Sequence, residues 1–201
     1  MYFWKWNINR GGHVIYSWKK IVKTGLPLLT LTILIEIFGG QILQGRQESL
    51  ILFPIFLISI PVINSISGNI GSVLGARLAS GLHVGYITLS YKDKEMHDNL
   101  LISLLMGFIT YFILAIVIYF VAAFGNLITE DIALIKFIAI FILTGILLIS
   151  TVAIVSIITA FLSFKRGLDP DDMVAPVVTT VGDVMGILFL FIILGIFGVV
   201  I

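Results

Sequence analysis

One carboxylate stands out by where it sits. Asp183 lies inside residues 173–201, an apolar run that reads MVAPVVTTVGDVMGI and continues through Leu, Phe and Ile. A run of that length spans a bilayer. An aspartate at the centre of such a span costs on the order of 3 kcal/mol on insertion scales, and it is kept only where it faces a cavity, a partner or an ion. Asp172, Pro176, Thr179, Asp183 and Gly186 follow one another at three- and four-residue steps, so they share one helix face. At about 1.5 Å of rise per residue, Asp183 falls about 15–18 Å into the span. That is close to the midplane of a hydrocarbon core about 30 Å thick. The chemistry of such a face is cation coordination by oxygen. The competing reading is a salt bridge to another span, with Arg77 or Lys136 as partner; neither is expected at the depth of Asp183.

Other groups point the same way. Just before this span, Asp169, Asp171 and Asp172 place three carboxylates within four residues. One of them can cap the coming helix. Three of them at a pore mouth would concentrate cations. Residues 61–85, PVINSISGNIGSVLGARLASGLHVG, are rich in small and polar side chains. Pro61, Ser65, Gly68 or Asn69, Ser72, Ala76 and Ala79 form a stripe there. Such a stripe is either a tight helix–helix contact or a pore wall. Asn69 favours the wall, because its amide needs partners in a membrane and its carbonyl oxygen suits hard cations. Glu36 shares a face with Thr32 and Gly40, and either lines an outer vestibule or pairs with Arg46. The candidate metal ligands are therefore Asp183, Asn69 and Thr179. The candidate pore-lining or mouth residues are Asp169, Asp171, Asp172, Gly68, Ser72, Thr180 and Glu36. Arg77 is expected to snorkel to headgroups or pair with a loop acid, and His83 to be structural.

Carboxylate, amide and hydroxyl oxygens, with no cysteine in the chain, select Mg²⁺, Ca²⁺ or Mn²⁺ over Zn²⁺ or copper. Mg²⁺ gives up its water reluctantly, so one or two carboxylates suffice for it. One midplane aspartate is a thin site. Two chains on a two-fold axis would bring two Asp183 carboxylates together, and a divalent ion would let both stay charged.

The elements that must position these groups are membrane helices. Of 201 residues 59% are hydrophobic and 11% charged, where soluble domains carry about 25%. That excludes a soluble protein, and a net charge of +1 leaves no nucleic-acid footprint. Five apolar spans are expected: residues 24–43, a second from near Leu50, residues 96–124, residues 132–164, and a fifth from near Met173. Backbone groups in lipid must be satisfied internally, so the spans are helices. Residues 1–23 hold Lys5, Arg10, Lys19, Lys20 and Lys23 among tryptophans, and read as an interfacial segment rather than a cleavable signal. Residues 24–201 form the membrane domain. Lysines and arginines concentrate in that segment, at Lys92 and Lys94, and at Lys165 and Arg166. The positive-inside rule then puts the N-terminus in the cytoplasm and the C-terminus outside.

These residues resemble a known family. The stretch 61–85, with its Gly-Asn-Ile-Gly-Ser core and Ala-Arg-Leu-Ala-Ser-Gly-Leu-His-Val-Gly tail, is similar to the first signature of the MgtE-type magnesium transporter membrane domain, nearest the archaeal and solute-carrier-41 branch. Asp169-Pro170-Asp171-Asp172, Ala175-Pro176 and Gly182-Asp183 resemble the second signature. The resemblance implies a multi-pass cell-membrane protein that carries divalent cations, chiefly Mg²⁺ with Mn²⁺, Ca²⁺ or Co²⁺ as other candidates, through a homodimer of five-helix domains. It places the family's pore aspartate on Asp183, its second-helix asparagine on Asn69 and its acidic inner mouth on Asp169, Asp171 and Asp172. Bacterial members carry a soluble Mg²⁺-sensing region before the membrane domain; none is present in this sequence, so a separate regulatory subunit or control within the membrane domain is expected. Two other readings compete. An intramembrane aspartyl protease would need a glycine where Thr180 stands and a second mid-span aspartate. A non-transporting membrane subunit would leave Asp183 and the acidic mouth unexplained.

Overall fold

The computed structural model describes residues 18–90, 92–129 and 132–199. Residues 1–17 of the expected interfacial segment lie outside the described residues. From Trp18 the chain is already helical, and α1 runs Trp18–Gln44 with no boundary at Thr24. The other helices are α2 Gln47–Leu52, α3 Pro54–Val84, α4 Lys94–Phe124, α5 Leu134–Lys165 and α6 Pro170–Ile196. The described residues contain no strand, and five of the helices are long and apolar enough to cross a membrane. The chain is an all-α, multi-pass membrane protein.

Local chemistry sets the breaks. The second span does not run unbroken from Leu50, because a short α2 precedes it. Phe53 leaves the helical region at φ −126° and ψ 70°. A residue before proline is disfavoured in helical geometry, and Pro54 then opens α3 where its missing N–H does no harm. Gly85 ends α3 at φ 87°, with its N–H donating to the Gly81 carbonyl at 2.9 Å. Asp93 caps α4 through a bond from the Met96 N–H at 3.1 Å. The same carboxylate accepts from the Thr88 N–H at 2.9 Å and the Thr88 hydroxyl at 2.7 Å.

Those bonds, the Thr88 hydroxyl foremost, hold the Asp93 carboxyl below its ordinary value. A depressed carboxyl stabilises the fold above its unfolded value near 3.8, and that contribution fades as pH falls through the lower folded value. Asp93→Ala should therefore speed hydrogen exchange at the Thr88 and Met96 amides at neutral pH. The difference from the parent chain should vanish in strong acid, where both lack the charge.

Around the molecule, α6 packs against α1, α3 and α5, while α3 and α5 pack on each other and on α4. α1 rests on α6 and exposes Leu26, Leu31, Ile33 and Phe38, an apolar face suited to lipid. Phe56, Phe137, Phe141 and Tyr111 stack in a buried aromatic cluster, with ring centroids 5.5–5.7 Å apart. Helices in lipid gain little from hydrophobic burial, so close approach through small residues matters more. A Cβ on Gly71 would stand 2.2 Å from a Val178 methyl, and one on Gly75 2.2 Å from a Val174 methyl. The small residues of α3 thus seat α6. Gly71→Ala should cost about 1–3 kcal/mol by overpacking. Gly40→Ala is the control, because its Cβ meets nothing within 4 Å. Thermal unfolding in detergent should show the first lowering Tm and the second leaving it in place.

Candidate ion site

The site is built on α6, the helix with neighbours on three sides. Successive residues turn by about 100°. Thr179, Gly182 and Gly186 fall on the side that meets α3, where they approach Gly68, Ser67 and Asn64. Thr180 and Val184 fall on the side that meets α1, where Val184 approaches Gly39 and Thr180 meets Glu36. Asp183 lies between those two sides, so it looks into the seam where α1 and α3 flank α6. It is half-buried.

Three polar contacts define that seam. The Thr180 hydroxyl donates to Glu36 Oε1 at 2.8 Å, joining α6 to α1. Glu36 and Asp183 lie within electrostatic reach of each other. Asn64 Nδ2 donates to the Asp183 carbonyl at 3.3 Å. Glu36, Asp183 and Asn64 thus bring two carboxylates and an amide from three helices to one seam. Among the described residues no three His, Asp or Glu side chains come together as a ready metal cage. The seam offers instead the one or two carboxylates that suffice for a cation keeping most of its water.

The other candidates are placed differently. Gly68 is buried against Thr179, where its Cβ would stand 3.2 Å from the methyl, so it serves helix contact rather than an open wall. The Thr179 hydroxyl donates to its own helix, to the Ala175 carbonyl at 2.9 Å and the Pro176 carbonyl at 3.1 Å. Asn69 is exposed, bonds Ser65 at 3.4 Å, and lines a groove of about 620 Å³ between α3 and α4 with Ser65, Ser103 and Thr110. It does not meet Asp183 within one chain, and Ser72 is half-buried beyond it. Asp169 caps α6 through the Asp171 N–H at 3.1 Å. Asp171 and Asp172 are exposed in the first turn, with His83 of α3 within electrostatic reach of Asp171. His83 itself bonds the Ala79 carbonyl at 2.8 Å and stacks edge-on against Phe164.

The expected partners of Glu36 were an outer vestibule or Arg46; the structure gives it Thr180. Gly39 rather than Gly40 meets α6 on the Glu36 face, and Gly40 points into open space. Asn64 was not among the expected ligands. Its signal was present: Asn64, Gly68, Gly71 and Gly75 follow at steps of four, three and four, which puts one amide on the small-residue face.

Five helices long and apolar enough to cross a membrane, packed with carboxylates in a seam between them, define a multi-pass membrane protein. Residues 60–193 match the family model of MgtE, described as a divalent cation transporter. That match covers well over half of the chain, and the protein belongs to the MgtE family of divalent cation transporters. No curated protein and no solved structure matches the chain.

Proposed function

We propose that this protein carries Mg²⁺ across the cell membrane as a homodimer, with Asp183 of both chains at the central ion site. The observation that carries the reading is a mid-span carboxylate on the helix with neighbours on three sides, beside a second carboxylate and an amide. Oxygen ligands without thiolate favour Mg²⁺, with Mn²⁺, Ca²⁺ and Co²⁺ as the competitors. A second copy is part of the proposal for two reasons. One chain supplies Asp183 and Glu36 without completing a cage. Asn69 faces a different side of α3 from Asp183, so an ion path using both draws its walls from two chains. Lysines and arginines at one end put the N-terminus inside. Asp169, Asp171 and Asp172 then gather cations at the cytoplasmic mouth, and the ion passes Asp183 with Thr179 and Asn69 oxygens along the way.

Purified protein in liposomes loaded with a Mg²⁺-sensitive dye tests this. Wild-type protein should give Mg²⁺ influx above empty liposomes, and Asp183→Ala should return it to the empty-liposome rate. Undiminished flux in Asp183→Ala would refute the site. Cross-linking of single-cysteine variants along α6 tests the two-fold arrangement separately.

A further inference from the structure

We infer that Asn64 is the positioning residue that holds the Asp183 turn of α6 in place for its cation. The inference rests on the reading of Asp183 as the ion site and extends it to a residue that does not itself hold the ion.

Asn64 sits on α3, about 15 Å along it, on the face turned to α6. Its amide nitrogen has two hydrogens. One goes to the Asp183 main-chain carbonyl at 3.3 Å. A single side chain on α3 thereby ties the α6 backbone at the residue that carries the acid. A flipped amide would set an oxygen against that carbonyl, so the orientation follows from its partner.

The rest of the amide is what packing alone would not choose. Asn64 Oδ1 is buried and has no hydrogen-bond partner. A buried acceptor left unpaired is costly, and an apolar side chain of the same shape would avoid the cost. The helix opposite makes room for the amide all the same. A Cβ on Gly186 would stand 2.2 Å from Oδ1 and 3.3 Å from Cγ of Asn64. The turn that carries Asn64 is held from two further sides. Ser67 Oγ donates to the Asn64 carbonyl at 2.8 Å, and the Tyr111 hydroxyl of α4 donates to the Ile63 carbonyl at 2.7 Å. Tyr111 is buried with its ring over Gly145, where a Cβ would meet it at 2.5 Å. A support therefore runs from α4 through α3 to the acid on α6. An unpaired oxygen, a glycine cut to fit it and a braced turn make sense together if the amide N–H₂ is what the fold keeps.

The test measures Mg²⁺ uptake in liposomes over a concentration series, with Tm in detergent for each variant. Asn64→Leu keeps the shape and removes the donor. It should raise the apparent KM for Mg²⁺ about 2- to 10-fold, the scale of a lost hydrogen bond between neutral groups, with Vmax changed far less. Its Tm should equal or exceed the parent value, because the orphaned oxygen is gone. Gly186→Ala displaces the amide without removing it and should raise KM in the same direction; in Asn64→Ala the same glycine change should add nothing. If Asn64→Leu does not fold, Gly186→Ala decides by the same KM criterion. An unchanged KM in the folded variants overturns the positioning role. Asp183→Asn is run in parallel: if it transports like the parent, the ion-site reading falls as well. If it is inactive while Asn64→Leu is normal, only the positioning role falls.

Discussion

Asp183→Asn should abolish Mg²⁺ transport in liposomes although it keeps the size and most of the hydrogen bonding of the side chain. Electrostatics sets the size of the effect. Two unit charges 4 Å apart interact by about 4 kcal/mol at an effective dielectric of about 20, and a divalent ion doubles the figure. Dehydration and imperfect geometry take back much of that, but a third of it, about 2.7 kcal/mol, is already about a 100-fold change in affinity. The amide offers a dipole in place of the charge. Asp183→Glu keeps the charge on a longer arm. It should retain transport with a shifted apparent KM. A concentration series on the three proteins separates the cases. Transport by Asp183→Asn at the parent rate would mean that the residue acts through shape, and the charge-based site would be wrong. Because α6 is packed on three sides, the variants should be compared at equal folded content, measured by Tm.

How far the sequence reaches depends on what each residue needs. Asp183 was legible because a charge in an apolar run has no cheap alternative explanation, and because helical spacing fixes its face and depth from its own helix alone. That one of Asp169, Asp171 and Asp172 caps α6 was legible too, since capping is a local bond; which one, Asp169, comes from the structure. What spacing along one helix cannot supply is the neighbour. Thr32, Glu36 and Gly40 fit one stripe by period, yet Gly39 rather than Gly40 is the residue that meets α6, at Val184. Asn69 has the right chemistry for an ion and faces the groove toward α4. Asn64 lies five residues earlier and faces Asp183. The two asparagines are distinguishable only by which of them shares the register of Gly71 and Gly75. That register carries meaning once it is known that valines of α6 fill those gaps. The break at Phe53 was likewise available from Pro54 by the rule for residues before proline, and the long apolar run through it obscured it.

Glu36→Gln should weaken Mg²⁺ transport by about 10-fold in apparent affinity. Glu36 stands on α1, outside the matched residues 60–193, so the expectation rests on geometry. Its carboxylate accepts from Thr180 at 2.8 Å and lies within electrostatic reach of Asp183. Two effects are therefore mixed in it: a tie between α1 and α6, and a negative field at the ion site. Glutamine keeps an oxygen for Thr180 and loses the field. Thr180→Val keeps the field and loses the tie. If the field matters, Glu36→Gln raises the apparent KM and Thr180→Val raises it by clearly less. If the tie matters, the order reverses, and Thr180→Val loosens α1 with faster hydrogen exchange along its inner face. Charge is expected to weigh more than the tie. A second carboxylate close enough to couple to Asp183 would repel it in the absence of an ion and help it bind one in its presence. A cation between them removes the repulsion and gains both attractions, so the charge-loss variant should show the larger effect. It should be larger for Mg²⁺ than for a monovalent ion, because the benefit of the second charge scales with the charge it faces.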